Sequence, residues 1–509
     1  MFTLFNRKSI FVAAVFLVMV SSTMFSCKKF LNVESESALS GNNYFKTPAD
    51  FESYISGIYN QFRTYTMSTA MFFVATGDYR SGPYIGASGR SDRDYLTTLP
   101  NNNLLGVIKD QVWSDKFIAI TDWSYFFKMI SSCNILIDNV SKEGNGLNED
   151  QKKQYRGEAV FMRNLCYFFM ARIYGDIPYY IDAYHTAPLV RENMVSVLNK
   201  CIKDMSEATD DLPWTYIDPS KVGVRAMRGS ALDLLMHMNM WCATFDQANK
   251  EKYWQATDSL GKVLLNDNNG AYELLPFKDF RAIFLGGSKE GLFEIEQDVN
   301  KGETFTLKCT YADDLMHAPY KNNATSFGRI DSKFMTAWYP KGQADLRANG
   351  PDPWFQNIYE DNFSFMVLKY IDVAVLSQGA YGTPNDNQIV FRLPDAILLR
   401  AEALNNMGND DEAIKMLNLV RARANAPNYH DGETPGMNLS DAIFTERCKE
   451  LVGEGYYFYD LVRTKRILDS KFCAHPISAE AFSQGAWTWP ISKNALTNAP
   501  GITLNTYWQ

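Results

Sequence analysis

Apolar side chains recur every three or four residues along most of the chain, which is the spacing of one face of an α-helix. The first such stripe is Phe51, Ile55, Ile58 and Phe62. Further stripes are formed by Phe126, Ile130, Cys133 and Ile137; by Val195, Leu198, Ile202 and Met205; by Ile397, Ala401 and Leu404; by Ala413, Leu417, Val420 and Ala424; and by Phe444, Cys448 and Leu451. Each stripe must be buried against a neighbouring element. The pattern therefore predicts a fold dominated by packed α-helices.

The helices are predicted to form pairs with the layout of tetratricopeptide repeats. The clearest pair is "AEALNNMGNDDEAIKMLNLVRARA", residues 401–424. Gly408 can end its first helix in the left-handed conformation, and Asn409 or Asp410 can cap the second helix. We therefore expect a helix, a short turn and a second helix in this segment.

About four such pairs are expected, separated by long loops. Two other pairs are predicted at residues 121–139 with 151–174 and at residues 191–212 with 225–245. The spacing between pairs is irregular, so a regular solenoid is not predicted. Segments with weak periodicity and many Gly, Asn, Pro and aromatic residues lie at 76–113, 266–360 and 369–390. Loops of this length are usually functional or packed over a scaffold.

The N-terminal residues are typical of a lipoprotein signal peptide. Arg7 and Lys8 form a basic region, and the apolar run Ser9–Val20 is too short for a membrane-spanning helix, which needs about 20 apolar residues. The small residue Ser26 stands directly before Cys27. We predict that residues 1–26 are a signal peptide and that Cys27 is lipidated, which would anchor the protein to a membrane. The alternative is an ordinary cleavable signal followed by a coincidental cysteine.

Composition and charge narrow the class of protein further. The 509 residues are 46% hydrophobic, which is sufficient to bury a large core in residues 27–509, either as a single domain or as two closely packed ones. The 58 acidic residues outnumber the 50 basic ones, which argues against nucleic acid as a partner. Five cysteines lie within helical patterns, where a free thiol packs as a small apolar group. These are Cys133, Cys166, Cys201, Cys242 and Cys448.

Several segments resemble the SusD/RagB family of outer-membrane nutrient-binding lipoproteins. Examples are "RGEAVFMRNLCYFFMARIYGDIPYY" (156–180), "FRLPDAILLRAEALNNMG" (391–408), "ERCKELVGEGYYFYDLVR" (446–463) and "WPISKNALTNAPGITLN" (489–505). The matches follow the family order from Cys27 almost to Gln509. The resemblance implies a SusD-like fold with loop insertions near 76–113 and 266–390, and a lipid anchor in the outer membrane facing the cell exterior.

The resemblance also implies a function. Family members bind glycan at the cell surface and close as a lid over a SusC-like TonB-dependent transporter. We therefore expect oligosaccharide capture and import, with no catalysis and no cofactor. One alternative is a scaffold or lid that binds mainly the transporter or a peptide and has little sugar affinity. A less favoured alternative is a surface glycoside hydrolase.

A row of carboxylates bears on the hydrolase alternative. Glu446, Glu450 and Glu454 share one helix face because they lie four residues apart. Two carboxylates on one face could act as acid and base in glycoside hydrolysis. Arg421, Arg423, Arg447 and Arg463 lie in neighbouring motifs and are available as partners. We predict structural ion pairs, and extend this prediction to Glu158, Arg163, Arg400 and Glu402.

Other chemical signatures are weak in this sequence. The five histidines do not stand at metal-ligand spacing, and there is no G-x-S-x-G nucleophile motif. Gly82–Gly89 is glycine-rich but fits no nucleotide-binding pattern, and Asn266–Glu273 has oxygen ligands without the rest of a calcium loop. The sequence therefore predicts neither a catalytic residue nor a metal site.

A sugar site requires aromatic rings and polar side chains on accessible loops. In the loop region 76–113 the candidates are Asp78, Tyr79, Arg80, Tyr84, Asn101 and Trp113, and the resemblance favours this region. In the second loop region the candidates are Tyr320 and Trp354. Arg80, Arg90 and Arg93 suggest an anionic sugar, although they are also consistent with solvated loop arginines.

Overall fold

Most of the described chain is α-helical, as the periodicity predicts. The computed structural model describes residues 44–109, 112–306, 309–374, 383–430, 437–493, 496 and 501–509. The longer helices are α1 (Pro48–Thr64), α4 (Ser114–Thr121), α5 (Ser124–Val140), α6 (Glu149–Tyr174), α7 (Met194–Ala208), α8 (Arg228–Phe245), α9 (Lys250–Asn266), α14 (Leu393–Asn406), α15 (Asp410–Arg423) and α16 (Leu439–Glu450). The shorter ones are α2 (Tyr95–Thr98), α3 (Leu104–Ile108), α10 (Phe280–Leu285), α11 (Tyr311–Leu315), α12 (Ser332–Trp338), α13 (Leu346–Asn349), α17 (Tyr457–Arg463) and α18 (Ala479–Ser483).

Local sequence signals explain where these helices begin and end. α1 begins after Thr47, which forms a capping box with Asp50. α6 begins after Asn148, whose side chain accepts a hydrogen bond from the backbone amide of Gln151. It ends at Gly175, whose φ of 74° is readily adopted by glycine. The predicted stripe of α1 is buried as expected, from Phe51 to Phe62.

Most of the long helices pack against a long helix next to them in the chain. α5 packs on α6, α7 on α8, and α14 on α15, which confirms the three predicted pairs. α9 was not predicted, and it packs closely on both α8 and α14. Its buried side includes the small or polar residues Thr257, Asp258 and Gly261, so its apolar stripe is weak. α9 thus joins the helices that precede the second loop region to those that follow it.

The buried face of α7 differs slightly from the predicted stripe. Leu198 and Met205 are buried as expected, whereas Val195 and Ile202 are only partly buried. The centre of the buried face is instead formed by Val197 and Cys201. This small rotation follows from contacts with α6 and α8 on two sides.

Short two-stranded antiparallel sheets occupy the loop regions between the helices. The strands are β1 (Tyr84–Gly86), β2 (Gly291–Ile295), β3 (Gly328–Ile330), β4 (Phe355–Gln356), β5 (Met366–Val367), β6 (Val373–Ala374), β7 (Thr383–Pro384) and β8 (Gln388–Arg392). They pair as β1 with β3, β2 with β8, β4 with β5 and β6 with β7. The first two pairings join distant parts of the chain and fix the loop regions to one another.

The cysteines assigned to the core are free and buried. Cys133, Cys166, Cys201, Cys242 and Cys448 confirm that prediction, and Cys309 and Cys473 have the same state. Burial raises the pKa of the Cys133 thiol to about 12, so the reactive thiolate is disfavoured. These residues therefore act as small apolar groups.

The three predicted carboxylates lie in a buried ion network, although Glu454 does not share the helix face as predicted, because α16 ends at Glu450 and Glu454 lies in the turn that follows. Arg347 bridges Glu446 and Glu450, with nitrogen–oxygen distances of 2.6 and 2.9 Å. Arg392 bridges Glu450 and Glu454, each at 2.7 Å. The network is completed by Glu290, Asp345, Lys369, Arg421, Arg423 and Lys449. We call this set, with its three glutamates and two arginines, the carboxylate network.

The network also closes the end of α16. The Lys369 ammonium donates hydrogen bonds to the carbonyls of Glu450 and Val452, both at 2.9 Å. Arg392 also donates to the Glu450 carbonyl, at 2.5 Å. The last carbonyls of a helix lack partners within the helix and carry partial negative charge. Cations held at this point therefore satisfy both the hydrogen bonds and the charge.

The predicted structural role of the charged residues is confirmed, although several partners differ from those proposed. Arg421 pairs with Glu446, and Arg423 pairs with Glu450. Arg447 instead pairs with Asp395 and Asp460, both at 2.7 Å. The other charged residues of the prediction are also ion-paired: Glu158 with Arg225, Arg163 with Asp204, Arg400 with Asp258, and Glu402 with Arg463.

Replacing Arg392 by Met should destabilise the protein strongly. Met has a similar length but leaves buried carboxylates without their cation, which costs about 3–5 kcal/mol of unfolding free energy. The matched control is Lys415→Met, since Lys415 is 70% exposed and pairs only at the surface with Glu412; it should cost less than about 1 kcal/mol. Urea unfolding would measure both, and equal small losses would contradict this role of the network.

Replacing Asp345 by Asn should weaken the protein at neutral pH more than at acid pH. Burial alone would raise the pKa of Asp345, but the charges of Arg347 and Lys449 beside it lower the pKa to about 2. The stabilisation from a depressed carboxyl is present above its ordinary pKa of 3.8 and is lost as the pH falls through 2. We expect a loss of about 2 kcal/mol at pH 7.

The difference between wild type and Asp345→Asn should shrink to about half by pH 3. Urea unfolding of both proteins across this pH range would measure it. A difference that is constant or grows on acidification would show that Asp345 is not held ionised by its two cations.

Candidate functional site

The two loop regions predicted to bind ligand lie side by side. β1 belongs to the first region and β3 to the second, and they pair antiparallel with Tyr84 opposite Ile330 and Gly86 opposite Gly328. The Ala87 amide then donates to the Phe327 carbonyl at 2.8 Å. The strand pairing therefore brings residues more than 200 positions apart in sequence to one part of the surface.

Aromatic and charged side chains cluster beyond the end of this strand pair. The guanidinium groups of Arg90 and Arg93 lie 4.3 and 4.4 Å from the centre of the Phe327 ring. The Trp113 indole donates a hydrogen bond to the Asp92 carbonyl at 3.1 Å. Both aromatic rings are only partly buried. We call Arg90, Asp92, Arg93, Trp113 and Phe327 the loop junction.

The charges of the loop junction are paired internally. Arg90 contacts Asp92 at 3.0 Å, and Arg93 contacts Asp92 at 2.6 Å. Arg93 also contacts Asp314 at 3.1 Å in the interior. Since each arginine already has a carboxylate partner, the junction carries little excess positive charge. This arrangement favours a neutral ligand over an anionic one.

A buried layer of tyrosines supports the loop junction. Asp314 accepts hydrogen bonds from the hydroxyls of Tyr79 and Tyr95, at 2.9 and 2.7 Å. The hydroxyls of Tyr84 and Tyr311 lie 2.7 Å apart. Burial raises the pKa of Asp314 to about 6, against the opposing effect of the Arg93 charge. Tyr79 and Tyr84, which were predicted to contact ligand, therefore lie in the supporting layer.

Asp78 is likewise inside the protein. Its carboxylate accepts a hydrogen bond from the Gly455 amide at 2.9 Å. Burial raises the pKa of Asp78 to about 8. The neighbouring Gly77 lies so close to Gly455 that a Cβ atom would be 2.0 Å from the Gly455 carbonyl oxygen. A side chain at position 77 would therefore separate these two segments.

Arg80 joins the first loop region to the C-terminal segment. Its guanidinium donates to the carbonyls of Ala486, Trp487 and Thr488 at 2.8–3.1 Å and to the Asn102 side chain at 2.8 Å. Burial lowers the pKa of Arg80 to about 9. Because its donors are committed to these partners, we assign Arg80 to the scaffold.

Trp354 also packs in the interior. Its ring stacks on Phe277 at 5.5 Å, and the Lys369 ammonium lies 4.6 Å from the ring centre. The side chain has no exposed surface. Trp354 therefore connects the second loop region to the carboxylate network.

The remaining three candidates have accessible positions. Asn101 is exposed, and its amide donates to the Thr97 carbonyl at 2.7 Å. Trp113 belongs to the loop junction. Tyr320 is partly buried in the loop that leads to Phe327. These three side chains are those on which a ligand-binding proposal can rest.

Phe327 and Asp92 were not among the candidates named from the sequence, whereas Arg90 was named there only as a hint of an anionic sugar. Phe327 lies in the second loop region, a few residues after the candidate Tyr320. An aromatic residue beside a short strand was the available signal. What singles it out, however, is its contact with arginines from the other loop region.

The carboxylates considered for hydrolysis are engaged elsewhere. Glu446, Glu450 and Glu454 are fully buried and contact arginine or lysine. Burial alone would raise the pKa of Glu446, but the charges of Arg347, Lys449 and Arg421 lower it below its ordinary value. A general acid requires a raised pKa at a site that reaches substrate. The geometry of this row is that of a structural element.

One group in the described residues has the composition of a metal site. Asp233 and His237 on α8 and Asp395 on α14 have potential ligand atoms within 4.8 Å of one another. His237 lies 2.6 Å from Asp395, which also contacts Arg447 at 2.7 Å. Burial raises the pKa of Asp233, which favours its neutral form. The histidine and the arginine thus already compensate Asp395, and the group ties two helices together.

The loop considered as a weak calcium candidate is closed by its own hydrogen bonds. The Asn268 amide donates to the carbonyls of Leu264 and Tyr272, at 2.9 and 3.2 Å. Its side-chain oxygen accepts from the Gly270 amide at 2.9 Å. Asn268 therefore accounts for the shape of this turn.

The fold and the loop junction together define a helical-repeat protein that presents inserted loops on a scaffold of paired helices. The SusD family model matches residues 336–508, and a second model, described as "Starch-binding associating with outer membrane", matches residues 29–235. A SusD homolog of known structure from Bacteroides thetaiotaomicron VPI-5482 is 38% identical, with a TM-score of 0.83. The alignment covers 91% of this chain and 99% of that one. The chain belongs to the SusD family.

Curated relatives agree with this assignment. SusD-like protein P25 of Formosa agariphila is 25% identical over 501 residues, which cover 90% of each chain. SusD-like protein P38 of the same organism is 24% identical over 97% of this chain and 98% of its own. The family is associated with the outer membrane and is known for binding rather than catalysis. Within the described ranges, none of the helices has the length and apolar character needed to cross a bilayer.

Replacing Asp78 by Asn should remove a loss of folding stability that the wild type shows as the pH rises. A buried carboxyl with a raised pKa contributes its full stability below the ordinary value of 3.8 and loses it as the pH rises through about 8. Asn cannot ionise. The unfolding free energy of Asp78→Asn, relative to that of wild type, should therefore be higher at pH 9 than at pH 5. Urea unfolding at both pH values would measure this. Asp115→Asn, at an exposed position on α4, is the control and should show no such trend. If the unfolding free energy of the variant relative to wild type instead fell as the pH rises, Asp78 would be held ionised in the folded protein.

Proposed function

We propose that this protein captures neutral oligosaccharide at the cell surface and delivers it to a SusC-like TonB-dependent transporter. The SusD family carries a surface glycan-binding role with transporters of that type. In this proposal residues 1–26 are a signal peptide and residues 27–509 form one domain. Cys27, which lies outside the described residues, carries the lipid that anchors the domain to the outer face of the membrane.

The observation that carries the proposal is the joining of two aromatic loops by β1 and β3. A sugar ring presents an apolar face that packs on an aromatic ring, and its hydroxyls require polar partners at the edge. Trp113 and Phe327 supply partly exposed rings, and Arg90, Asp92 and Asn101 supply polar groups. Tyr320 precedes Phe327 by seven residues in the chain and is a further partly exposed ring.

Rigidity of the support also favours binding at the loop junction. Arg93 reaches inward to Asp314, which is held by two tyrosine hydroxyls. A preformed site loses less conformational entropy when the ligand binds. The buried candidates Tyr79 and Tyr84 contribute to binding through this support rather than by contact.

A second function, that of a transporter-binding lid with little sugar affinity, is favoured by exposed apolar side chains on α3 and α4, which pack on each other, and on the segment before Trp113, the residue that precedes α4. Leu105, Val112 and Ile118 have 52, 51 and 45% of their surface exposed. Exposed apolar side chains in proximity are typical of protein contact surfaces. These residues suit the transporter as the partner that covers them.

Replacing Trp113 or Phe327 by Ala should weaken oligosaccharide binding by at least tenfold, because each removes an aromatic surface for a sugar ring. Isothermal titration of the purified protein with unsubstituted and with sulfated or carboxylated hexasaccharides would measure affinity and charge preference. Trp254→Ala is the matched control, since Trp254 is a partly buried tryptophan on α9. The affinity of the Trp254→Ala variant for oligosaccharide should equal that of wild type.

The outcomes separate the candidate functions. Neutral-sugar binding lost in both variants and kept in the control supports capture at the loop junction. Binding that all three variants retain would place the site elsewhere. Absence of sugar binding in wild type, together with a stable complex with the transporter, would favour the lid.

A further inference from the structure

A groove of about 680 Å³ lies between the start of α7 and the C-terminal segment, and the loop junction residues do not line it. Its volume is within the range of about 300–1,000 Å³ usual for small-molecule sites. It is lined by parts of the segments 175–176, 191–195, 482–488 and 503–509 and by Phe245. We call it the C-terminal groove.

Hydrogen bonds to the lining residue Thr488 hold the C-terminal segment in place. The Thr488 hydroxyl accepts from the Asn505 amide at 2.7 Å and from the Trp508 indole at 3.0 Å, and it donates to the Gly485 carbonyl at 2.7 Å. Arg80 fixes the backbone of the same segment from the interior. The site is thus preformed, which lowers the entropic cost of binding.

Aromatic rings form one wall. The rings of Phe245 and Phe482 are parallel within 3°, with centroids 6.3 Å apart, and Phe245 lies 5.2 Å from Trp487. Trp487 is buried, whereas Phe245 and Phe482 are partly exposed. Partly exposed aromatic rings offer an apolar surface on which the face of a sugar ring can pack.

Neutral polar side chains form much of the remaining lining, although the Asn193 side-chain oxygen also caps α7 and the Gln509 side-chain amide also donates to the Leu504 carbonyl. Gln484, Gln509 and Asn193 contribute side-chain amides, and Thr503 and Thr506 contribute hydroxyls. An amide has both donors and an acceptor, so it matches the hydroxyls of a sugar. This composition differs from that of an apolar groove built to receive a helix.

The charged side chains in the groove do not favour an ionic ligand. Arg191 donates to the carbonyls of Tyr174, Asp176 and Thr503 and to the Asn505 side chain, so its donors are committed to the protein. The Asp176 carboxylate accepts from the Met194 amide at 2.8 Å at the start of α7. One arginine and one aspartate leave no net side-chain charge. An extended peptide is also disfavoured, since the strands β1–β8 do not line the groove and offer no edge for pairing.

We propose that the C-terminal groove is a second binding site for neutral oligosaccharide. The location and the neutral, hydroxyl-rich character of the ligand follow from the groove itself, whereas its assignment to glycan rests on the proposed function. Two sites on one protein would hold a long polysaccharide at two points. The second contact then becomes intramolecular, which raises the overall affinity without strengthening either site.

The test uses the double variant Phe482→Ala with Gln484→Ala, which removes one ring and one amide from the groove. Unsubstituted α- and β-linked glucan, xylan and mannan hexasaccharides serve as probes, with isothermal titration for stoichiometry and saturation-transfer NMR for weak complexes. Wild type should bind two molecules of a recognised probe. The groove variant should retain one site, with the other weakened at least tenfold. Phe334→Ala, a partly buried phenylalanine on α12 outside the groove, is the control and should retain both.

Combination with Trp113→Ala separates this inference from the proposed function. If wild type has only one site, and that site is lost in Trp113→Ala but unaffected by the groove variant, the groove proposal is overturned while capture at the loop junction stands. If wild type has only one site, and that site is lost only in the groove variant, the groove stands and the loop junction is overturned. If wild type binds none of the probes by either method, both proposals are overturned.

Discussion

The structure depends on the charges buried around the end of α16. Glu446, Glu450 and Glu454 bring negative charge into the interior, and removal of such charges from water is compensated only by close cations with good geometry. Arg347 and Arg392 supply them, each bridging two glutamates. These arginines come from α13 and from the end of β8, so the ion pairs fix elements of the second loop region to the helical scaffold.

A continuous series of contacts leads from this network to the loop junction. Lys369 bonds both to Glu454 and to the carbonyls at the end of α16. The following turn places the Gly455 amide against Asp78, at the start of the first loop region. From there Tyr84 meets Tyr311, and β1 pairs with β3. The network therefore contributes to the position of the surface residues proposed to bind sugar, although it touches none of them.

Arg80 has a comparable role between the two proposed sugar sites. Its guanidinium is committed to backbone carbonyls of the C-terminal segment on one side and to Asn102 in the first loop region on the other. Without a carboxylate partner, an arginine stabilises its surroundings through directed hydrogen bonds to carbonyls. A buried arginine of this kind can be mistaken for an anion-binding residue when only the sequence is read.

The sequence by itself determined the helical class, the pairs α5–α6, α7–α8 and α14–α15, and the ion-paired role of Glu446, Glu450 and Glu454. These follow from local rules, because helix periodicity, capping and the four-residue spacing of charges act over a few residues. The family followed from motifs distributed along the whole chain. Helix α9 was not predicted because its buried face carries Thr257 and Gly261, which do not form an apolar stripe.

Only the tertiary structure decided which loop residues reach the surface. Tyr79, Tyr84, Arg80 and Trp354 have the residue types of a sugar site, yet they are buried, because contacts with distant segments enclose them. Phe327 gains its place beside Arg90 through a strand pair that spans more than 200 residues. Exposure and long-range pairing depend on the packing of the whole chain, and no local pattern encodes them.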